Sequence, residues 1–498
     1  MIPAVTTEKY EVVIGIEVHA QVRTRSKMFC RCSADYSGAE PNTHVCPVCL
    51  GLPGVLPVIN EQAVAATIMT GLALSCEIPE RAKFDRKNYP YPDLMKGYQI
   101  SEYDMPLCRD GYLDVEVDST KRRIRINRVH LEEDTARLLH RADGSGDTYS
   151  LLDVNRAGMP LMEIVTEPDV RSPQEAVAYL TKLRQILRYI GVSDANMEEG
   201  SFRCEPNLSL RPRGADGLGA KVELKNLNSF RAALRAMEFE VERQGRLLDG
   251  GGRVAQETRG WRDETGETAS QRSKEYAHDY RYFPEPDLPP IAVSRALVEE
   301  LRRRLPELPD ARRERFSSQY GLSSHEATLL TESRAKADFF ERSVALTKVL
   351  GDERPAAKTV ANWILGDLAR LLNDTGLDFG DPDMRLTAEN FADLLGFVHG
   401  GQITAAAAKE VLRETFKSGS PPKRIVAERG LGKIEDEGIV IEAVRRAIEA
   451  NPKAVADYRA GKTEALTFLT GQVMRETRGR ANAGEVQALL RAELERAD

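Results

Sequence analysis

The chain has 498 residues, 41% hydrophobic and 30% charged, and its 70 basic and 77 acidic side chains leave a net charge of −7. This length suits about two to four domains of roughly 100–200 residues each and is ample for a buried core. The composition excludes a membrane-embedded or disordered chain, because the apolar runs fall far short of the ~20 residues that span a bilayer. The charge balance excludes a protein coated in cations, although residues 401–498 carry 17 basic against 15 acidic side chains, a tail that permits contact with nucleic acid.

MIPAVTTEKYEVV has no basic stretch followed by an apolar one, so no secretory signal is expected and the protein reads as cytoplasmic. Alternation predicts strands at YEVVIGIEVHAQV (10–22), LDVEV (113–117), RRIRINRVHLE (122–132), NLSLR (207–211) and AKVELKNL (220–227). RKNYPYPDLMKGYQISEYD (86–104), dense in Pro, Gly, Tyr and Asp, reads as a structured loop. A helix is predicted after Ser172, with Pro173 at its first position, Glu175 completing a capping box and Gly191 ending it. A second is predicted from Ser229 to about Leu248. Many strands, few helices and no regular βαβ alternation indicate α+β with a mainly antiparallel sheet. The Pro-dense PEPDLPPI (284–291) is read as the end of this domain, 1–290. Helical spacing then predicts an all-α domain over 291–403, and a second over 404–498 after the break at FVHGGQI.

Cys30, Cys32, Cys46 and Cys49 fall within twenty of the 498 residues, whereas Cys76, Cys108 and Cys204 are scattered. Two close thiolate pairs joined by a short loop suit a closed, structural tetrahedral zinc site, and the odd total argues against a disulfide framework. A second group is acidic. Period two puts Glu17, His19 and Gln21 on the strand face opposite Val12, Ile14, Ile16 and Val18, and sets Glu223 beside Lys225. Glu132, Glu133 and Asp134 end a third strand. Carboxylates with one imidazole suit Mg²⁺ and its phosphates, but spacing equally allows solvated strand faces. Lys87 could face a phosphate or simply water. No Walker A loop, GxSxG elbow or amidase-like serine stretch is found.

Seven segments together resemble the B-subunit family of the aspartyl/glutamyl-tRNA(Asn/Gln) amidotransferases. They are EVVIGIEVHAQVRTRSKMFC, KNYPYPDLMKGYQISEYD, VHLEEDTARLLH, DVNRAGMPLMEIVTEPD, GSFRCEPNLSLRP, KVELKNLNSFR and FLTGQVMRETRGRANAGEV, colinear from about residue 9 to about residue 490. The resemblance implies a cradle-shaped catalytic domain, a helical domain and a tRNA-contacting helical tail. It implies a heterotrimer with an amidase A subunit and a small C subunit. In it, ATP phosphorylates the side-chain carboxylate of Glu-tRNA(Gln) or Asp-tRNA(Asn), and channelled ammonia forms the amide. Glu17, His19, Glu133 and Glu223 match the family's Mg²⁺ and phosphate positions, with Glu132 adjacent. Lys225 and Lys87 stand as ATP-side cations. Lys87 and Glu133 match a pair gating the ammonia channel. The four clustered cysteines match a zinc site that only some members keep. Arg475, Arg478 and Arg480 are the tail's candidates for tRNA phosphate; the tail departs from the family in lacking the usual proline after Asn482. A tRNA-binding module without chemistry and a stand-alone ligase are the competing readings.

Overall fold

The computed structural model describes residues 8–273, 280–347, 352–434, 436–477 and 479–496. Two compact units divide the chain, 1–308 and 309–498.

Fifteen strands are described, all in the first unit: β1 Tyr10–Gln21, β2 Arg81–Ala82, β3 Phe84–Asn88, β4 Tyr98–Glu102, β5 Cys108–Val117, β6 Thr120–Glu133, β7 Arg137–Ala142, β8 Thr148–Asp153, β9 Pro160–Thr166, β10 Phe202–Pro212, β11 Val222–Lys225, β12 Glu257–Arg262, β13 Glu267–Ser273, β14 Phe283–Pro284 and β15 Ile291–Ala292. Eleven form one sheet in the order β13-β12-β11-β10-β1-β9-β6-β4-β3-β14, with β5 also on β6. Every pairing is antiparallel except β11 with β12. The expected α+β class with a mainly antiparallel sheet is what the chain forms.

One face of this sheet is apolar. Val12, Ile14, Ile16 and Val18 of β1 join Leu208 and Leu210 of β10 in a core shared with helices Glu61–Ala73, Pro173–Tyr189 and Phe230–Asp249. Ser172 caps the second of these by accepting the Glu175 N–H at 3.1 Å, with Pro173 at N1 and Gly191 left-handed beyond the end. The capping box differs from expectation: Glu175 accepts from the Arg171 N–H, one residue before the cap. Ser229 caps the third helix by accepting from Ala232.

Segment 86–104 is not a loop throughout. Its ends pair as the β3–β4 hairpin, Lys87 opposite Gln99, and only the proline-containing centre, which cannot donate to a ladder, stays unpaired. Nor does the compact unit end at 290. Helix Arg295–Arg304 inserts Val298 and Leu301 into the sheet domain's core, so the unit runs to Leu308.

The second unit is helical throughout its described elements. One core runs from Phe316 to Leu431 and another from Val440 to Leu494. The sequence break near 403 lies inside the first, because Ile403, Ala407, Val411 and Leu412 pack with Phe391 and Leu395. No described helix is long and apolar enough to cross a membrane.

Candidate active site

The other face of the sheet lines a cavity of about 900 Å³. Register explains which side chains meet there. His19 of β1 lies opposite Glu163 of β9, Glu163 lies opposite His130 of β6, and Arg203 of β10 flanks His19 on its other side. Directly opposed residues share a face, so this is one polar row crossing four strands. Glu17 is opposite Glu205 in the next row along.

A bulge in β6 makes this possible. Ile126 pairs with Thr166 and Arg128 with Val165, leaving Asn127 as the extra residue. Before it, Ile124 and Ile126 point into the core; after it, Val129 and Leu131 do. Arg128, His130 and Glu132 are thereby turned to the cavity.

His19 Nε2 lies 3.5 Å from Glu163, 3.6 Å from Glu17 and 3.8 Å from Glu132. His130 Nε2 lies 3.5 Å from Glu163 and 3.7 Å from Glu132. Arg128 donates through Nε to His130 Nδ1 at 3.2 Å, which leaves the ring proton on Nε2, facing the carboxylates. Ser101 Oγ donates to Glu132 at 3.0 Å. Burial raises the Glu17 pKa to about 7, reinforced by the charge of Glu163. Burial works against protonated His19, but Glu163, Glu132 and Glu17 outweigh it and hold the ring up at about 9. Lys87 is likewise opposed by burial and kept protonated by Glu132 and Glu163.

Ligand atoms of Glu17, His19 and Glu163 lie within 4.8 Å of one another, as do those of His130, Glu132 and Glu163. Carboxylates crowded this closely repel unless a cation or a proton intervenes. The donor set, hard oxygens with imidazole, fits a divalent ion such as Mg²⁺. Lys225 and Glu223 occupy the same cavity, with Lys225 Nζ 2.9 Å from Glu205 and 3.7 Å from Glu223. Glu223 is anchored by Thr258 Oγ1 at 2.6 Å and is in neither close group.

Glu133 is elsewhere. Strand alternation turns it away from Glu132, and its carboxylate takes hydrogen bonds from Lys96 Nζ at 2.6 Å and the Ile100 N–H at 3.0 Å. It lines a separate narrow recess with Cys30, Cys49 and Gly158. Glu133, expected at the Mg²⁺ and beside Lys87, thus has Lys96 as its partner and lies outside the main cavity, which Lys87 faces. Glu163, His130, Arg128 and Arg203 were not singled out from sequence. A single glutamate in the otherwise apolar PLMEIV of β9 was the available signal.

The sulfurs of Cys30, Cys32, Cys46 and Cys49 lie within 4.8 Å of one another, Cys46 to Cys49 at 3.9 Å and Cys32 to Cys49 at 4.0 Å. Tetrahedral zinc–thiolate geometry places sulfurs about 3.8 Å apart, so the set can hold a structural metal and is compatible with zinc. Hydrogen bonding from Cys30, outweighing burial, lowers the Cys49 thiol to about 4, while that same hydrogen bond together with burial raises Cys30, and burial raises Cys32 to about 11. Gly51, at φ +65°, fits the adjoining loop against Lys96, where a Cβ would come within 2.9 Å of the Lys96 backbone. In the tail, Arg475 is exposed, whereas Arg480 donates to the Thr477 and Gly430 carbonyls and ties the helices together. Arg478 lies outside the described residues.

Residues 12–299 match the family model of the GatB/GatE catalytic domain and residues 338–494 that of the GatB domain. The aspartyl/glutamyl-tRNA(Asn/Gln) amidotransferase B subunit from Thermomicrobium roseum is 55% identical over 98% of this chain and 99% of its own length. Its counterpart from Dehalococcoides mccartyi strain CBDB1 is 54% identical over 98% and 99%, and that from Moorella thermoacetica 54% over 98% and 100%. Matches of this extent show that the chain belongs to the B-subunit family of the tRNA-dependent aspartyl/glutamyl-tRNA(Asn/Gln) amidotransferases.

Proposed function

We propose that the cavity activates the side-chain carboxylate of Glu-tRNA(Gln) or Asp-tRNA(Asn) and converts it to the amide. A carboxylate resists ammonia because its leaving group would be oxide. Attack of a carboxylate oxygen on the γ-phosphorus of ATP forms an acyl phosphate and releases ADP. Ammonia then forms the C–N bond, inorganic phosphate leaves with the C–O electron pair, and a proton is lost from nitrogen. The observation that carries this reading is the convergence of Glu17, Glu132 and Glu163 with His19 and Lys87 in one cavity. A clamp for RNA has no use for buried carboxylates, which repel phosphate.

A Mg²⁺ ion bound by Glu17, His19, Glu132 and Glu163 would offset the repulsion between the substrate carboxylate and the phosphates of ATP. Lys87 and Lys225 hold phosphate oxygens by charge. Ammonia reaches the cavity from an amidase A subunit, with a small C subunit completing the heterotrimer. We assign the gate on that route to Glu133 with Lys96, a pair that can take a proton from ammonium and close by charge attraction. The clustered cysteines hold zinc as a staple for the loop beside that gate. Arg475 meets tRNA backbone phosphate, and the reaction belongs to the cytoplasm, where translation uses its product.

The test uses the reconstituted three-subunit complex. ATP cleavage that depends on Glu-tRNA(Gln) should fall about 100-fold or more in Glu163→Gln, as expected for a residue acting on transition-state charge, while glutamine hydrolysis by the partner persists. Glu133→Gln should instead preserve ATP cleavage and lose glutamine-dependent amide formation. Cleavage unchanged by Glu163→Gln would move the activating step out of this cavity.

A further inference from the structure

Of the five tyrosines that line the cavity, four touch in series. Tyr89 meets Tyr280 edge to face with centroids 5.6 Å apart, and Tyr280 meets Tyr282 in the same manner at 6.1 Å. Tyr282 then lies flat on Tyr103, 4.0 Å away and only 6° from parallel. Among the described ring pairs this is the face-to-face one; the others are tilted or edge-on. Neither ring of the stacked pair belongs to the hydrophobic core, and Tyr103 is 52% exposed. Lys87 Nζ sits 5.0 Å from the Tyr280 ring, on the path from the stacked pair to the carboxylates.

We propose that Tyr103 and Tyr282 form a stacking platform for an adenine base at the mouth of the cavity. The proposal rests on the reaction assigned above, because both of its large substrates carry adenine: ATP, and the 3′-terminal adenosine to which the amino acid is esterified. A flat purine extends a parallel pair of rings at little cost, and base–aromatic stacking is tolerant of the ring's polar edges. Tyr103 stands two residues beyond Ser101, which pairs with Glu132, so the platform is about 7 Å along the strand from Glu132. A base held there directs its ribose and phosphates, or its ester, past Lys87 toward Glu132 and Glu163.

Two fluorescent probes distinguish the sources in the intact three-subunit complex. One is 2-aminopurine riboside triphosphate; the other is tRNA(Gln) with 2-aminopurine as its 3′-terminal base. Stacking quenches 2-aminopurine without turnover. Wild type should quench at least one probe, and the probe quenched names the source. Tyr103→Ala and Tyr103→Leu should lose that quench and weaken binding of that probe roughly ten-fold, whereas Tyr103→Phe keeps both. No quench of either probe by wild type, or quench and affinity unchanged in Tyr103→Ala, overturns the platform. Quenching that survives in Glu163→Gln, in a complex whose ATP cleavage is also unaffected by that substitution, would leave the platform standing and remove the catalytic assignment instead.

Discussion

Glu132 and Glu133 are neighbours in sequence and separated in space by the width of a strand. One faces the row of His19, Glu163 and His130; the other takes the Lys96 ammonium in a different recess. Within the first group His130 carries no assigned chemistry, yet its Nε2 faces two carboxylates at once while Arg128 fixes its tautomer. We propose that it positions the two carboxylates. His130→Leu should weaken Mn²⁺ binding, followed by electron paramagnetic resonance without ATP, by about 10–100-fold, the range for lost outer-shell support. His130→Gln, which retains a donor on that side, should recover most of it; equal losses in the two variants would mean that packing alone matters. Glu102 offers a pH test. It is buried, and burial outweighs the hydrogen bonds from the Leu107 and Leu131 N–H groups and raises its pKa from 4.5 to about 8. The folded state therefore holds a proton that the unfolded state releases above pH 4.5, so stability is lost as pH rises from 4.5 through 8. Glu102→Gln should remove this slope and raise stability at about pH 8.5 by on the order of a few kcal/mol relative to wild type. A melting temperature whose pH dependence is the same in both proteins would refute it.

At the scale of elements, the single extra residue in β6 decides what the strand presents. Apolar residues fall at 124 and 126, then at 129 and 131. That step of three is visible in IRINRVHL, and reading the segment as one uninterrupted strand overlooks it. Deleting Asn127 would remove the extra residue and restore strict alternation, with Ile124, Ile126, Val129 and Leu131 still toward the core and Arg128, His130 and Glu132 still toward the cavity. The deletion should yield folded protein that keeps the carboxylate row. Asn127→Ala, which loses an exposed hydrogen bond to Glu167 and a long one from Arg128, should cost about 1 kcal/mol by chemical denaturation. An unfolded deletion variant would show that the local bend of the bulge, and not alternation alone, is required. The 86–104 hairpin teaches the complementary lesson. Its turn-rich centre dominated the composition, whereas its pairing partners are set by register with β6 and β14.

At the scale of the molecule, cores rather than proline clusters mark the divisions. The core from Phe316 to Leu431 includes helix Ala405–Ser418, so truncation at 405 would strip Val411, Leu412 and Phe416 from it. Truncation after residue 436 removes the separate core from Val440 to Leu494 instead. The second truncation should keep the circular dichroism of a folded protein and retain ATP-site function, while raising the apparent KM for tRNA. The first should lower thermal stability as well. Unchanged KM in the second would count against tRNA contact by the tail.

Local chemistry was legible in the sequence because it acts over short separations. The β1 face with Glu17 and His19, the cap at Ser172, the helix beginning at Ser229, the clustered cysteines and the α+β class all follow from alternation, hydrogen-bonding side chains and spacing. Resemblance added the family and directed attention to the 129–140 and 221–231 segments. The composition of the carboxylate group was decided only by the tertiary structure. Glu163 enters because β9 lies between β1 and β6, and Glu132 rather than Glu133 enters because a bulge shifts the phase of one strand. The pairing of strands distant in sequence is set by how their apolar faces share one core. Residue spacing along the chain carries no measure of that distance, so the carboxylate group appears only once the sheet has formed.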